Sequence, residues 1–133
     1  MSAITTHVLD TALGKPAAGI LVRLEKQEGG GWIEVTHGEG GDAAWTERVQ
    51  DMTGAWSEIA RGVTDADGRC RDLKSDAAAG IYRLRFDTDA YFRRGGRTSI
   101  YPELAITFQC DGEGHYHLPV LLSDNSYTTY RGS

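Results

Sequence analysis

The chain is predicted to fold as an all-β antiparallel sandwich. Short strand-like runs follow one another, turn residues separate them, and two of the runs alternate apolar with polar residues at the strand period. Ile4 to Asp10 is the first run, stopped by Ala12-Leu13-Gly14-Lys15-Pro16. In the second, Gly19 to Gln27, Ile20, Val22 and Leu24 face one way while Arg23 and Glu25 face the other. Trp56 to Val63 ends at the turn signal Asp65-Ala66-Asp67-Gly68, and Gly80 to Asp87 alternates again. Thr88 to Arg94 reads as one short helix, with Asp87 or Thr88 as its cap and Gly95 past its end. Glu103 to Gln109, Tyr116 to Leu122 and Ser126 to Arg131 complete the set.

One segment breaks this rhythm. Gly31-Trp32-Ile33-Glu34-Val35-Thr36-His37-Gly38 resembles Ala55-Trp56-Ser57-Glu58-Ile59-Ala60-Arg61-Gly62, and both a partial duplication and the chance recurrence of a common strand pattern account for it. Between the two copies, Trp45, Val49 and Met52 stand at i, i+4 and i+7. This spacing predicts a short amphipathic helix over Asp42 to Met52, with Asp42 as N-cap and Gly54 beyond. The second copy is expected to hold the third strand of the fold. The first, Trp32 to Thr36, is expected to extend the second strand or to add an edge strand.

At 133 residues the chain is expected to form a single domain, 1–133. Its net charge of -5, without a Lys/Arg block, disfavours nucleic acid and anionic membranes as partners. No stretch approaches the ~18 apolar residues of a membrane span. Cys70 and Cys110 are too few and too far apart for a disulfide framework, and the start of the chain shows no signal-peptide pattern. A cytoplasmic location is expected from these signs.

Two histidines carry the strongest chemical signal. His115 and His117 are two apart on a strand, so both leave one face. Such a pair suits proton transfer to and from a water nucleophile, or, joined by His7, a three-histidine zinc site. Arg69, just past the Asp65–Gly68 turn, offers a planar donor fork for a carbonyl or a developing anion, although a solvated surface arginine is the commoner reading. That turn is no calcium loop, because Lys74 stands where the closing glutamate belongs. Nucleophile elbows and glycine-rich phosphate loops are absent from the sequence, and Gly29-Gly30-Gly31 reads as a flexible turn.

The motifs Thr6-His7-Val8-Leu9-Asp10-Thr11, Gly14-Lys15-Pro16-Ala17-Ala18-Gly19, Gly62-Val63-Thr64 and Asp67-Gly68-Arg69-Cys70 together resemble the transthyretin-related family, in its 5-hydroxyisourate hydrolase branch. The likeness continues through Tyr82-Arg83-Leu84, Phe86-Asp87-Thr88, Tyr91-Phe92 and Tyr101-Pro102-Glu103. It closes with His115-Tyr116-His117-Leu118-Pro119 and the final Tyr130-Arg131-Gly132-Ser133. Transthyretin itself, the hormone carrier, lacks that ending and the motif histidines. The resemblance implies an eight-stranded sandwich with one short helix, assembled as a homotetramer with its sites in the channel between dimers. The implied reaction is hydrolytic opening of 5-hydroxyisourate in urate breakdown, with no metal and no organic cofactor. It assigns catalysis to His7, Arg69, His117 and Ser133, and substrate binding to His7, Arg69 and Tyr130. Two departures stand out: roughly twenty extra residues between the second and third strands, making 29–54 an insertion, and Asp124 where the family usually has proline.

The expected mechanism places His7 and His117 around a water that attacks the ring carbonyl, while Arg69 opposes charge on the oxygen. Tyr130 and Ser133 are expected to orient ring and water from the chain end, making that end catalytic rather than structural. A small-ligand carrier remains the alternative. It calls for a channel lined mainly by apolar side chains, whereas this chain supplies two histidines, an arginine and a tyrosine.

Overall fold

The computed structural model describes all residues except 39–42. Its strands are β1 (Ser2–Asp10), β2 (Lys15–Pro16), β3 (Leu21–Gln27), β4 (Trp32–His37), β5 (Trp45–Gln50), β6 (Trp56–Val63), β7 (Arg69–Ala77), β8 (Gly80–Phe86), β9 (Leu104–Cys110), β10 (His115–Ser123) and β11 (Ser126–Thr129), with helix α1 at Thr88–Arg94. One sheet runs β11-β10-β1-β2 with β7 also on β1; the second runs β6-β3-β8-β9. Every second residue of β1, from Ser2 to Asp10, is buried, which is the alternation that places one face of a strand against a core. Ile4, Val8, Leu118, Val120 and Leu122 of the first sheet meet Val22, Leu24, Tyr82, Leu84, Phe86 and Leu104 of the second. Each such fully buried side chain contributes roughly 1.5–3 kcal/mol.

Three expectations are corrected. Outside the 29–54 insertion nine strands are described where eight were expected, the surplus being the two-residue β2, and the insertion itself carries the hairpin β4–β5. The sandwich is not wholly antiparallel, because β1 and β10 pair in parallel, from Ala3 opposite His115 to Asp10 opposite Leu122. The segment expected as a helix carries β5 instead, paired with β4 from Trp32↔Gln50 to His37↔Trp45; Asp42, its expected cap, lies outside the described residues. Trp45 and Val49 share a face at strand period as well as at helical period, so their spacing could not separate the two. Val49 and Thr46 are β-branched, and the β4 partner decides.

The hairpin leads on from β3, past the Gly29–Gly31 break, and adds an edge strand to neither sheet. Its base is tied to the sandwich by Glu28 N–H on Ala55 O at 2.8 Å, Asp51 N–H on Gly31 O at 2.9 Å and Gln27 Nε2 on Asp51 O at 2.7 Å. Its strands hold each other through the Arg48 guanidinium over Trp32 and His37 stacked on Trp45. The second copy, Trp56 to Val63, forms the strand expected of it, β6, which follows β3 in the sandwich once the hairpin is set aside; it pairs with β3.

Helix α1 covers the residues expected, starting after Asp87, whose side chain makes no capping bond. Below it, fully buried Asp10 accepts from Tyr91 Oη at 2.7 Å and is bridged by Arg97, whose other nitrogen reaches Asp124. Burial alone raises the Asp10 pKa, but the Arg97 and Tyr91 bonds outweigh it and hold this carboxyl below the usual range. Burial, then the Asp10 carboxylate, pushes Tyr91 up to about 12. The aspartate at 124 thus completes an ion cluster that locks the helix to the end of β1. Both cysteines are free and buried.

Candidate active site

Because the even positions of β1 and β10 face the core, their odd positions lie on the outer face of the first sheet. Register then does the assembly. Thr5 lies opposite His117, and His7 lies between Pro119 on one side and Arg69 on the other. Three strands far apart in sequence therefore bring Thr5, His7, Arg69, His115 and His117 to one surface. Thr5, Thr6, Arg69, Arg71, His115, His117 and Ser133 line a cleft of about 250 Å³.

Each group is positioned by a specific contact. The Asp65–Gly68 turn is closed by Asp65 Oδ1, which accepts from the backbone N–H of Asp67 at 2.9 Å and of Arg69 at 3.0 Å. Gly68 sits at φ +78°, and an added Cβ would stand 2.3 Å from Val8 O, so this position needs glycine for both conformation and space. The turn docks on β1 through Val8 N–H on Gly68 O at 2.7 Å. There, Asp67 O accepts from His7 Nε2 at 2.8 Å. A carbonyl only accepts, so His7 carries its proton on Nε2 and, when neutral, has Nδ1 bare. Among the described residues the Arg69 side chain has no carboxylate partner, which leaves its guanidinium available to the cleft.

Thr5 Oγ1 stands 2.7 Å from His115 Nε2 and 2.8 Å from His117 Nδ1, and the two rings lie 5.9 Å apart. Burial, then the charges of His115, Arg69 and His7, holds the His117 imidazole below its ordinary value, so the ring is a neutral proton acceptor near pH 7. The chain end is fastened to the same histidine. Gly132 N–H donates to His117 O at 2.7 Å, and the Arg131 guanidinium lies 4.1 Å over the Tyr116 ring. These contacts within one chain bring Ser133 to the cleft. Tyr130 is not among the residues brought there; it is 53% exposed. His7 lies beside the cleft rather than in its lining.

Thr5 and Arg71 were missed in the sequence. Thr5 stands two before His7, hence on the same strand face, but a lone threonine carries no chemical signal until its partners are known. Among the described residues no group of three His, Cys, Asp or Glu is placed to hold a metal ion. No helix of the described residues is long and apolar enough to cross a membrane.

Fold and face together define a transthyretin-like β-sandwich bearing a histidine–arginine cleft. The HIUase/Transthyretin family matches residues 4–132, and the chain belongs to this family. It is 38% identical over 135 residues to the 5-hydroxyisourate hydrolase of Mus musculus, covering 99% of this chain and 96% of that protein. The solved structure of Klebsiella pneumoniae 5-hydroxyisourate hydrolase is similar at a TM-score of 0.74 and 34% identity, with 100% of each chain covered. Transthyretin from Sparus aurata superposes equally well, at a TM-score of 0.75 and 30% identity over 97% of this chain and 95% of that one. The sandwich is thus common to both branches, and backbone shape cannot tell them apart.

Proposed function

We propose that this chain is a hydrolase that opens the ring of 5-hydroxyisourate in urate degradation. The observation that carries the reading is the polar cleft itself: two imidazoles on one hydroxyl, a guanidinium with no carboxylate partner among the described residues, and Ser133, gathered on one sheet face. A carrier of an apolar ligand would instead present an apolar wall. His117, neutral at the working pH, takes a proton from water as it attacks the ring carbonyl. Arg69 stabilises the oxyanion that forms. His7, oriented by Asp67 O, holds the water or the substrate through Nδ1. Ser133 fixes the substrate from the chain end. Tyr130, exposed in one chain, reaches substrate across a homotetramer interface, where we place the complete site. Neither metal nor organic cofactor enters this scheme, the hairpin within 29–54 stands outside it, and a cytoplasmic location fits it.

The test is turnover of freshly generated 5-hydroxyisourate, followed by its absorbance. The parent accelerates the decay, and His117→Ala and Arg69→Ala each lose roughly 10²-fold or more in kcat/KM. Near-parent turnover by His117→Ala in an assembled protein removes the proton-transfer role.

A further inference from the structure

Thr5 stands between two imidazoles and has one proton to share. A threonine hydroxyl offers a single O–H donor together with acceptor lone pairs. Its oxygen lies 2.7 Å from His115 Nε2 and 2.8 Å from His117 Nδ1. Only one contact can use the hydroxyl proton, so the other is an imidazole N–H donating to Oγ1. The two rings therefore cannot choose their tautomers independently. Both rings cannot accept at once: either His117 Nδ1–H donates to Thr5 and Thr5 donates to His115 Nε2, or the chain runs the other way, or both ring N–H groups donate to the two lone pairs of Oγ1. Only the first joins a protonated His117 Nδ1 to an accepting His115.

We propose that Thr5 is a positioning residue that sets the His117 tautomer and relays its proton to His115; this rests on the hydrolase reading above. In the first arrangement His117 Nδ1 holds its proton against Oγ1, and Nε2 keeps the lone pair that accepts a proton from the attacking water. Once Nε2–H forms, the His117 Nδ1–H bond breaks as Oγ1–H forms. The former Oγ1–H bond breaks as His115 Nε2–H forms. His117 ends neutral with its proton on Nε2, and His115 ends as the cation. The charge has moved from a half-buried ring to an exposed one, where water solvates it. The chain runs in reverse when His117 Nε2–H protonates the nitrogen released by ring opening. His115 is thus the outlet of a wire that begins at His117, and its place two residues away on the same face has a purpose beyond surface polarity.

The test uses the full-length protein with Thr5→Val, which keeps the shape and removes the hydroxyl, and Thr5→Ser, which restores it. Thr5→Val should lower kcat at least about tenfold with KM little changed, while Thr5→Ser retains most of the parent rate. Nitrogen-15 spectra of the imidazoles report the tautomer without any turnover. The parent should show His117 protonated on Nδ1, and Thr5→Val should shift that proton toward Nε2. Unchanged His117 nitrogen shifts in Thr5→Val overturn the proposal, whatever its rate, as does an unchanged kcat. If the parent itself does not accelerate 5-hydroxyisourate decay, the hydrolase reading fails instead, and the nitrogen shifts still decide whether Thr5 sets the tautomer.

Discussion

Gly132→Ala tests how tightly the chain end and His117 are fitted together. Its Cβ would stand 2.8 Å from His117 Cδ2 and 3.2 Å from Pro119 Cγ. Ordinary carbon contact begins near 3.4 Å, so something must give by 3.4 − 2.8 = 0.6 Å. The backbone at this glycine lies outside the left-handed region, so the cost is steric rather than conformational. Pro119 is buried and cannot yield. Either the His117 ring rotates off Thr5, or the tail lifts and strains the 2.7 Å Gly132 N–H bond to His117 O. Both separate Ser133 from His117. A misplacement of ~1 Å costs ~10²-fold, so a loss of about 10-fold to 10²-fold in kcat/KM is expected, or ~1.4–2.7 kcal/mol. The tail adds little to the core, and the melting temperature should move by less than ~4 °C. Decay of 5-hydroxyisourate absorbance and a circular-dichroism melt read the two quantities. Parent-level kcat/KM in a folded Gly132→Ala variant refutes the reasoning, because the fit between tail and histidine would then be irrelevant to turnover.

The lowered pKa of His117 places the acid limb of kcat/KM below 6.5, since only the neutral ring accepts a proton; a limb above 6.5 in the pH–rate profile contradicts this. The same depression means that protonating His117 opposes folding, so its contribution to stability is present above the unfolded value and lost as pH falls below it. Deleting Gly31 to Gly54 should leave a folded protein with its melting transition within a few degrees of the parent, because the hairpin pairs with neither sheet; an unfolded product by circular dichroism would show the ribbon to be part of the core. Arg97→Ala should destabilise by about 3 kcal/mol in urea titration, because it strips buried Asp10 of its ion partner while Tyr91 and two backbone N–H groups remain. The Asp10 folded pKa is lowered, so the parent's advantage over that variant should persist above the unfolded value near 3.8 and fade as pH falls below it.

Alternation and turn residues were enough to place β1, β3, β6, β8, helix α1, β9 and β10 to within a residue or two, because each buries one face and ends at a turn or cap that local chemistry dictates. Strand β7 was not legible as a run, although the Asp65–Gly68 turn marks where it begins. Arg69-Cys70-Arg71-Asp72-Leu73-Lys74-Ser75-Asp76-Ala77 is mostly charged, its pairing with β1 is broken by register shifts, and so its inward residues do not recur at period two. Strand β5 was misread because spacing four fits a helix and a strand alike, and only the β4 ladder chooses. The motif residues His7, Arg69, His117 and Ser133 were nameable from the chain. That they share a surface was implied only by the family resemblance, since the parallel pairing of β1 with β10 and the antiparallel pairing with β7 are long-range decisions that no local pattern encodes. The sequence by itself determined which side chains point outward and which chemistry they can perform. The tertiary structure decided that one threonine hydroxyl holds two imidazoles, that a backbone carbonyl fixes the proton on His7, and that Tyr130 stays outside the cleft of a single chain. Hydrogen-bond partners more than a hundred positions apart in the chain are set by sheet register, and register follows from the packing of the whole core.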